Sequence, residues 1–161
     1  MSRDQIVETT FAVRYAESDQ MGVVHHASYV VWMEEGRSQY MRAKGFAYEQ
    51  VEREGLFFAV AELHVRYIAP ARYGDNVTVR TWVDELRSRA VTFGYEILNA
   101  AAHATLVTGE VKLILMDRQG RAARIPDAIQ AARRSVRYGR PTTLRRVSWS
   151  DARRSPRPLR A

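Results

Sequence analysis

The chain has 161 residues, a formal net charge of +7 and no cysteine. That length suits one domain with a sizeable core. The missing thiols exclude disulfides, thiolate metal sites and a cysteine nucleophile. The charge is unevenly placed. Arg133 to Ala161 holds ten arginines against the single acid Asp151, a net of +9, whereas residues 1–132 carry fifteen bases against seventeen acids. The high pI therefore belongs to a tail, and the body is nearly neutral. The tail, 141–161, is rich in Arg, Ser and Pro and reads as a solvated, disordered extension of a domain covering 1–140. Its aromatic content is thin, only Trp149 within it and Tyr138 just before, so a nucleic-acid partner is not favoured. The polar start Met1-Ser-Arg-Asp-Gln5 has no apolar stretch behind it, and no window reaches the ~18 apolar residues of a membrane span. The expectation is a soluble, cytoplasmic protein without membrane contact.

Ile6 to Arg14 alternates loosely and suits a first strand. From Ser28 to Lys44 the apolar residues Val30, Met33, Tyr40 and Met41 recur at helical spacing, with Glu34, Glu35, Ser38 and Arg42 on the other side. Ser28 is the predicted N-cap, and Gly45 sits where a left-handed residue ends a helix. Gly36 in mid-helix costs about 1 kcal/mol relative to Ala and marks close approach of another backbone, such as a wrapped sheet. Ala47 to Arg53 reads as a short second helix. After Gly55 the period becomes two, through Leu63-Val65-Tyr67, Val77-Val79-Thr81-Val83, Val91-Phe93-Tyr95-Ile97 and Ala104 to Met116. Short turns and no intervening helices predict a four-strand antiparallel meander. Pro126 opens a terminal helix through about Val136. The order predicts an α+β domain whose antiparallel sheet wraps a central long helix. Its exposed sheet edges point to a homo-oligomer.

Common catalytic signatures are missing: no G-x-S-x-G, P-loop, G-x-G-x-x-G or H-E-x-x-H occurs. The four histidines, His25, His26, His64 and His103, lack metal-ligand spacing, so no metal is expected. The informative segment runs from Tyr15 to Tyr29. There Asp19 precedes a turn at Gly22, and the chain then enters a helix near His26. An Asp at such a place is an ordinary turn-former. It is also a base, and the amides at a helix start favour developing negative charge. A carboxylate on one side and amide donors on the other make the minimal apparatus for acyl transfer.

The run Tyr15-Ala-Glu-Ser-Asp19-Gln-Met-Gly22-Val-Val-His25-His26-Ala-Ser-Tyr29-Val-Val-Trp32-Met-Glu34 resembles the signature of hotdog-fold acyl-CoA thioesterases. The branch is the 4-hydroxybenzoyl-CoA thioesterase / YbgC-like family. The resemblance spans roughly residues 5–130 and includes Tyr67-Ile-Ala-Pro70-Ala-Arg-Tyr-Gly74-Asp75. It implies a hotdog fold, homodimers or homotetramers with a continuous sheet between paired subunits, and active sites at the interface. It implies that Asp19 is the catalytic carboxylate, as nucleophile or as general base, and that the backbone amide of His26 polarises the thioester carbonyl. Gly22 and Val23 are carried over with the same segment. Glu34 matches an acidic helix position that contacts the acyl group in one branch. The implied reaction is hydrolysis of an acyl-CoA or acyl carrier protein thioester, with CoA entering as part of the substrate and no cofactor. Tyr29, Trp32, Phe57, Phe58 and Val60 are candidates for the acyl pocket. Arg87 and Arg89, in a strand-connecting turn, are candidates for the CoA phosphates. A thioester suits so small a site because thiolate is a good leaving group and no strong general acid is needed. Two other readings stay open at this point: a hotdog dehydratase or hydratase, and a non-catalytic acyl-CoA-binding or regulatory module.

Overall fold

Strand formation follows burial on one face. The computed structural model describes residues 6–134, and its strands are β1 (Val7–Ala12), β2 (Phe57–Tyr67), β3 (Asn76–Leu86), β4 (Ala90–Asn99) and β5 (Thr105–Met116). The helices are α1 (His26–Ala43), α2 (Tyr48–Arg53) and α3 (Asp127–Arg134), with a one-turn 3-10 helix at Tyr15–Glu17. The basic stretch 141–161 and the expected end of the last helix at Val136 lie outside the described residues.

The strands form one antiparallel sheet in the order β1-β3-β4-β5-β2. Along β3 to β5 every second residue is buried, among them Val79, Phe93, Ile97, Val111 and Leu113. These face α1, which lays Trp32, Met33 and Met41 into the same core. The α+β arrangement of a long helix against an antiparallel sheet is therefore as expected.

The meander is shorter than its sequence suggests. Only β3, β4 and β5 follow one another as hairpins; β2 pairs with β5 at the edge of the sheet opposite β1. The segment 68–75 crosses between them. It leaves β2 with the Ile68 and Ala69 N–H groups both donating to Leu106 O, and arrives at β3 with Asp75 O accepting from Val13 N. Eight residues that include Pro70 and a left-handed Gly74 (φ 93°) are too many and too irregular for a tight hairpin.

The helix also starts earlier than expected. Its N-cap is His25, not Ser28: the His25 Nδ1 accepts from Ala27 N at 3.2 Å, so an imidazole does what a hydroxyl was assigned. Its C-terminus matches the expectation. Gly45, at φ 82°, donates to Arg42 O, and Phe46 N donates to Met41 O, the paired bonds of a Schellman motif. Gly36 does mark a close approach, but of side chains. A Cβ there would lie 2.5 Å from Thr81 Oγ1 and 2.8 Å from Val79 Cγ1, both on β3.

Candidate active site

Three pieces of chain converge where β1 ends, α1 begins and the crossover 68–75 passes. Between β1 and α1 the chain doubles back, with Ser18 bridging Val24 and His25 N donating to Glu17 O at 2.7 Å. Asp19 sits at the fold of this loop. Its N–H donates to Val23 O (2.9 Å), its carbonyl accepts from Gly22 N (3.0 Å), and Oδ1 accepts from Met21 N (2.8 Å). Gly22 takes a left-handed φ of 70°, the conformation for which a Gly is suited there. Asp19 is thus a turn-former, and the half-buried carboxylate keeps a second oxygen that makes no hydrogen bond among the described residues.

The crossover clips this loop in place. Val24 N donates to Ala71 O (2.8 Å), Arg72 Nη1 donates to Gly22 O (3.1 Å), and Ala71 N donates to the Tyr29 hydroxyl (2.8 Å). Tyr29 is therefore a core residue, only 2% exposed, and meets the loop from behind. Val23 is half-buried within the turn.

His26 is the first residue of α1 and is exposed. As the N1 position its amide has no intrahelical acceptor, and the helix dipole adds to its pull on negative charge. Its ring lies 4.1 Å from that of His25, and its carbonyl accepts from the Tyr67 hydroxyl at 2.9 Å. The Tyr67 bond ties the last residue of β2 to the first of α1.

Two further residues shape the site without having stood out in the sequence. Glu17 is buried, and its carboxylate accepts from Trp32 Nε1 (2.8 Å), Arg14 N (2.8 Å) and the Arg14 guanidinium (2.7 and 3.1 Å). Burial pushes this carboxyl up. The hydrogen bonds from Arg14 and Trp32, with the Arg14 charge, outweigh burial and hold it below the ordinary carboxylate value. An acid two residues from Asp19 and a Trp six residues past His26 were visible, but nothing local pairs them. Tyr67 escaped for a similar reason: it read as one more alternating strand residue.

The remaining candidates are dispersed. Glu34 lies two turns down α1, exposed, 3.4 Å from Arg37 Nη2. Val60 is exposed on β2 opposite Leu113. Trp32 is core, and Phe58 packs edge-on against Tyr48 at 5.7 Å while Phe57 stays exposed. Arg87 and Arg89 occupy the β3–β4 turn, with Arg87 paired to Glu85 at 2.9 Å. That turn is at the opposite end of β3 from the crossover, about 35 Å away at strand rise. Within one protomer the two arginines do not reach Asp19. Among the described residues no group of three His, Asp or Glu side chains could hold a metal ion, and no helix is long and apolar enough to cross a membrane.

Comparisons with known proteins bear on the family of the chain. A family model described as the thioesterase-like superfamily matches residues 13–132. The Bacillus subtilis protein YneP is 39% identical over 94 residues, which are 58% of this chain and 68% of YneP. The acyl-CoA thioester hydrolase YbgC of Escherichia coli is 33% identical over 105 residues, 65% of this chain and 78% of YbgC. Among solved structures, the DHNA-CoA thioesterase of Staphylococcus aureus superposes with a TM-score of 0.77 at 31% identity, covering 81% of this chain and 90% of that one.

Proposed function

This chain belongs to the thioesterase-like superfamily, with the hotdog fold, and from that membership we propose an acyl-CoA thioesterase in which Asp19 and the His26 amide carry the reaction. The observation that carries the proposal is the doubled-back loop, which holds a carboxylate and an unpaired helix-start amide on one clipped segment. The thioester carbonyl oxygen points at the His26 N–H, where the dipole of α1 stabilises the charge that develops as the carbonyl is attacked. The free oxygen of Asp19 either attacks the carbonyl carbon or takes a proton from the attacking water. In both routes the thiolate leaves without a strong acid. The Met21 N–H on Oδ1 fixes the carboxylate's direction. Tyr67 fixes the helix start through the His26 carbonyl.

The working unit in this proposal is a homodimer built on β2. Among the described residues, the eleven of edge strand β2 are left unpaired on one side, and Phe57, Val60, Leu63 and Tyr67 are all exposed on it. Such an edge is stable in water only when paired or covered. Antiparallel pairing of two β2 strands about a two-fold sets the Phe57 end of one copy beside the Tyr67 end of the other. Met116 and the β3–β4 turn lie at that Phe57 end. Arg87 and Arg89 then serve the CoA phosphates of the second copy's site, resolving their distance from Asp19 in a single protomer.

The test is thiol release from acyl-CoA and acyl carrier protein thioesters by the wild type and Asp19→Asn. The Asn keeps the turn's Oδ1 acceptor and removes the base, so kcat falls by about 10²- to 10⁴-fold while the fold is unchanged. Undiminished turnover in Asp19→Asn would refute the assignment. Tight acyl-CoA binding with no release by wild type would favour the binding module.

A further inference from the structure

Away from the loop, the molecule contains a buried polar cluster that the proposed chemistry does not use. Arg37, on α1, is 9% exposed, and its ion pair to Glu34 is a long 3.4 Å contact. Beside it stand the hydroxyls of Tyr48 (α2) and Tyr95 (β4), the latter 1% exposed; Arg37 lies close enough to act as a donor to both phenol oxygens, and neither O–H has an acceptor among the described residues. Burial pushes the Tyr48 phenol up to about 12 and Tyr95 higher still, with Arg37 pulling both back. Two neutral donors and a guanidinium are thus gathered under the helix with too few acceptors. An unmade buried hydrogen bond costs roughly 1–3 kcal/mol, so the arrangement calls for a ligand acceptor.

The cluster ends a trough that starts at the reaction site. Helical spacing sets His26, Val30 and Arg37 along one flank of α1, with Glu34 at its outer margin. The opposite flank packs away from it: Trp32 meets Phe11 of β1, and Gly36 meets β3. The inner side of β2 reaches this flank at Tyr67, whose hydroxyl donates to His26 O, and reaches α2 at Phe58, whose ring meets Tyr48. Val60, Leu63 and Tyr67 pair with the buried Leu113, Val111 and Val107, so they point the same way, yet they remain 56%, 42% and 38% exposed. One end of this apolar strip is closed by Tyr67 on His26, the other by Phe58 against Tyr48. From His26 to Arg37 is eleven residues, about 16 Å of helix. A medium-length acyl chain spans that; a single aromatic ring attached at His26 does not.

We propose that this trough takes the acyl chain and that Tyr48, Tyr95 and Arg37 read its far end, making the preferred substrate a medium-length acyl thioester with an uncharged hydroxyl or oxo group at its distal end. The inference rests on the thioesterase reading above and deepens it. An uncharged group is specified because Glu34 already offsets the Arg37 charge, and a second carboxylate would meet Glu34 at the mouth of the cluster.

The experiment compares kcat/KM for three CoA esters of one chain length: unsubstituted, ω-hydroxy and ω-carboxy. The wild type favours the ω-hydroxy ester over the unsubstituted one by at least ~10-fold, since a site with orphaned donors discriminates against a substrate that leaves them unpaired. Tyr48→Phe with Tyr95→Phe, its folding checked by cooperative melting, brings the two esters within about twofold. If the double variant fails to fold, Tyr48→Phe alone, at a half-buried ring, carries the test by halving the preference or more. Equal wild-type values, a preference that survives loss of the hydroxyls, or a preference for the ω-carboxy ester overturns the inference. In each of those cases Asp19-dependent hydrolysis of the unsubstituted ester leaves the thioesterase reading standing. No thiol from any ester removes both.

Discussion

Glu17 shows how much of the site is held by a residue that does no chemistry. Its carboxylate gathers three hydrogen-bonding groups, from Arg14 backbone, Arg14 side chain and Trp32, while its own carbonyl accepts from His25 N. Replacing it with Ala strands the Trp32 N–H in the core and leaves the loop without its tether. A loss of about 3 kcal/mol is expected by chemical denaturation. The pH dependence follows from the depressed carboxyl. Because the folded value lies below the unfolded one, near 4.5, the stabilisation is fully present above that and is lost as pH falls through the folded value. Wild type therefore loses stability on acidification below about pH 4.5 more steeply than Glu17→Gln, measured by urea midpoints across that range. Parallel pH curves for the two would remove Glu17 from this role. At this scale the sequence was partly legible. Asp19 and His26 declared themselves by type and spacing, whereas Glu17 and Tyr67 depend on partners fifteen and forty-one residues away.

Among the elements, α1 is fixed against the sheet by what it lacks. Gly36 lets the helix settle on Thr81 and Val79, where any Cβ would collide with atoms 2.5–2.8 Å away. Gly36→Val should cost about 1–3 kcal/mol or more through overpacking, despite the better intrinsic helix propensity relative to Gly. A melting temperature equal to or above wild type would contradict that packing. The sequence disclosed this position because a mid-helix Gly breaks a local rule. It disclosed β2 less well. A bulge between Val60 and Glu62 puts Val60 and Leu63 on one face although they are three positions apart. Strict alternation starts only at Leu63, so the strand's first half carries no period-two signal. Likewise Ser28 outcompetes His25 as a cap in general preference, and only the folded position of the imidazole reverses that.

For the whole molecule, β2 is the element with an unfinished face. In the dimer proposed above, Leu63→Lys places a charge beside the paired edge, and sedimentation should show a shift toward monomer. A monomeric variant with full activity would contradict the interfacial site. The α+β architecture was readable from periodicity, but the place of β2 was not, since the order of strands in a sheet depends on where the crossover travels. That crossover has a consequence for how the protein comes into being. The hairpins β3–β4 and β4–β5 join neighbours in the chain, whereas Val7 pairs with Thr81 and Phe57 with Met116. Loops that long close at a greater entropic cost, so the three central strands can condense first and the outer two must follow. The loop bearing Asp19 hangs between β1 and the crossover, hence among the last parts to arrive. A folding chain therefore gains its central hairpins before it gains a working carboxylate.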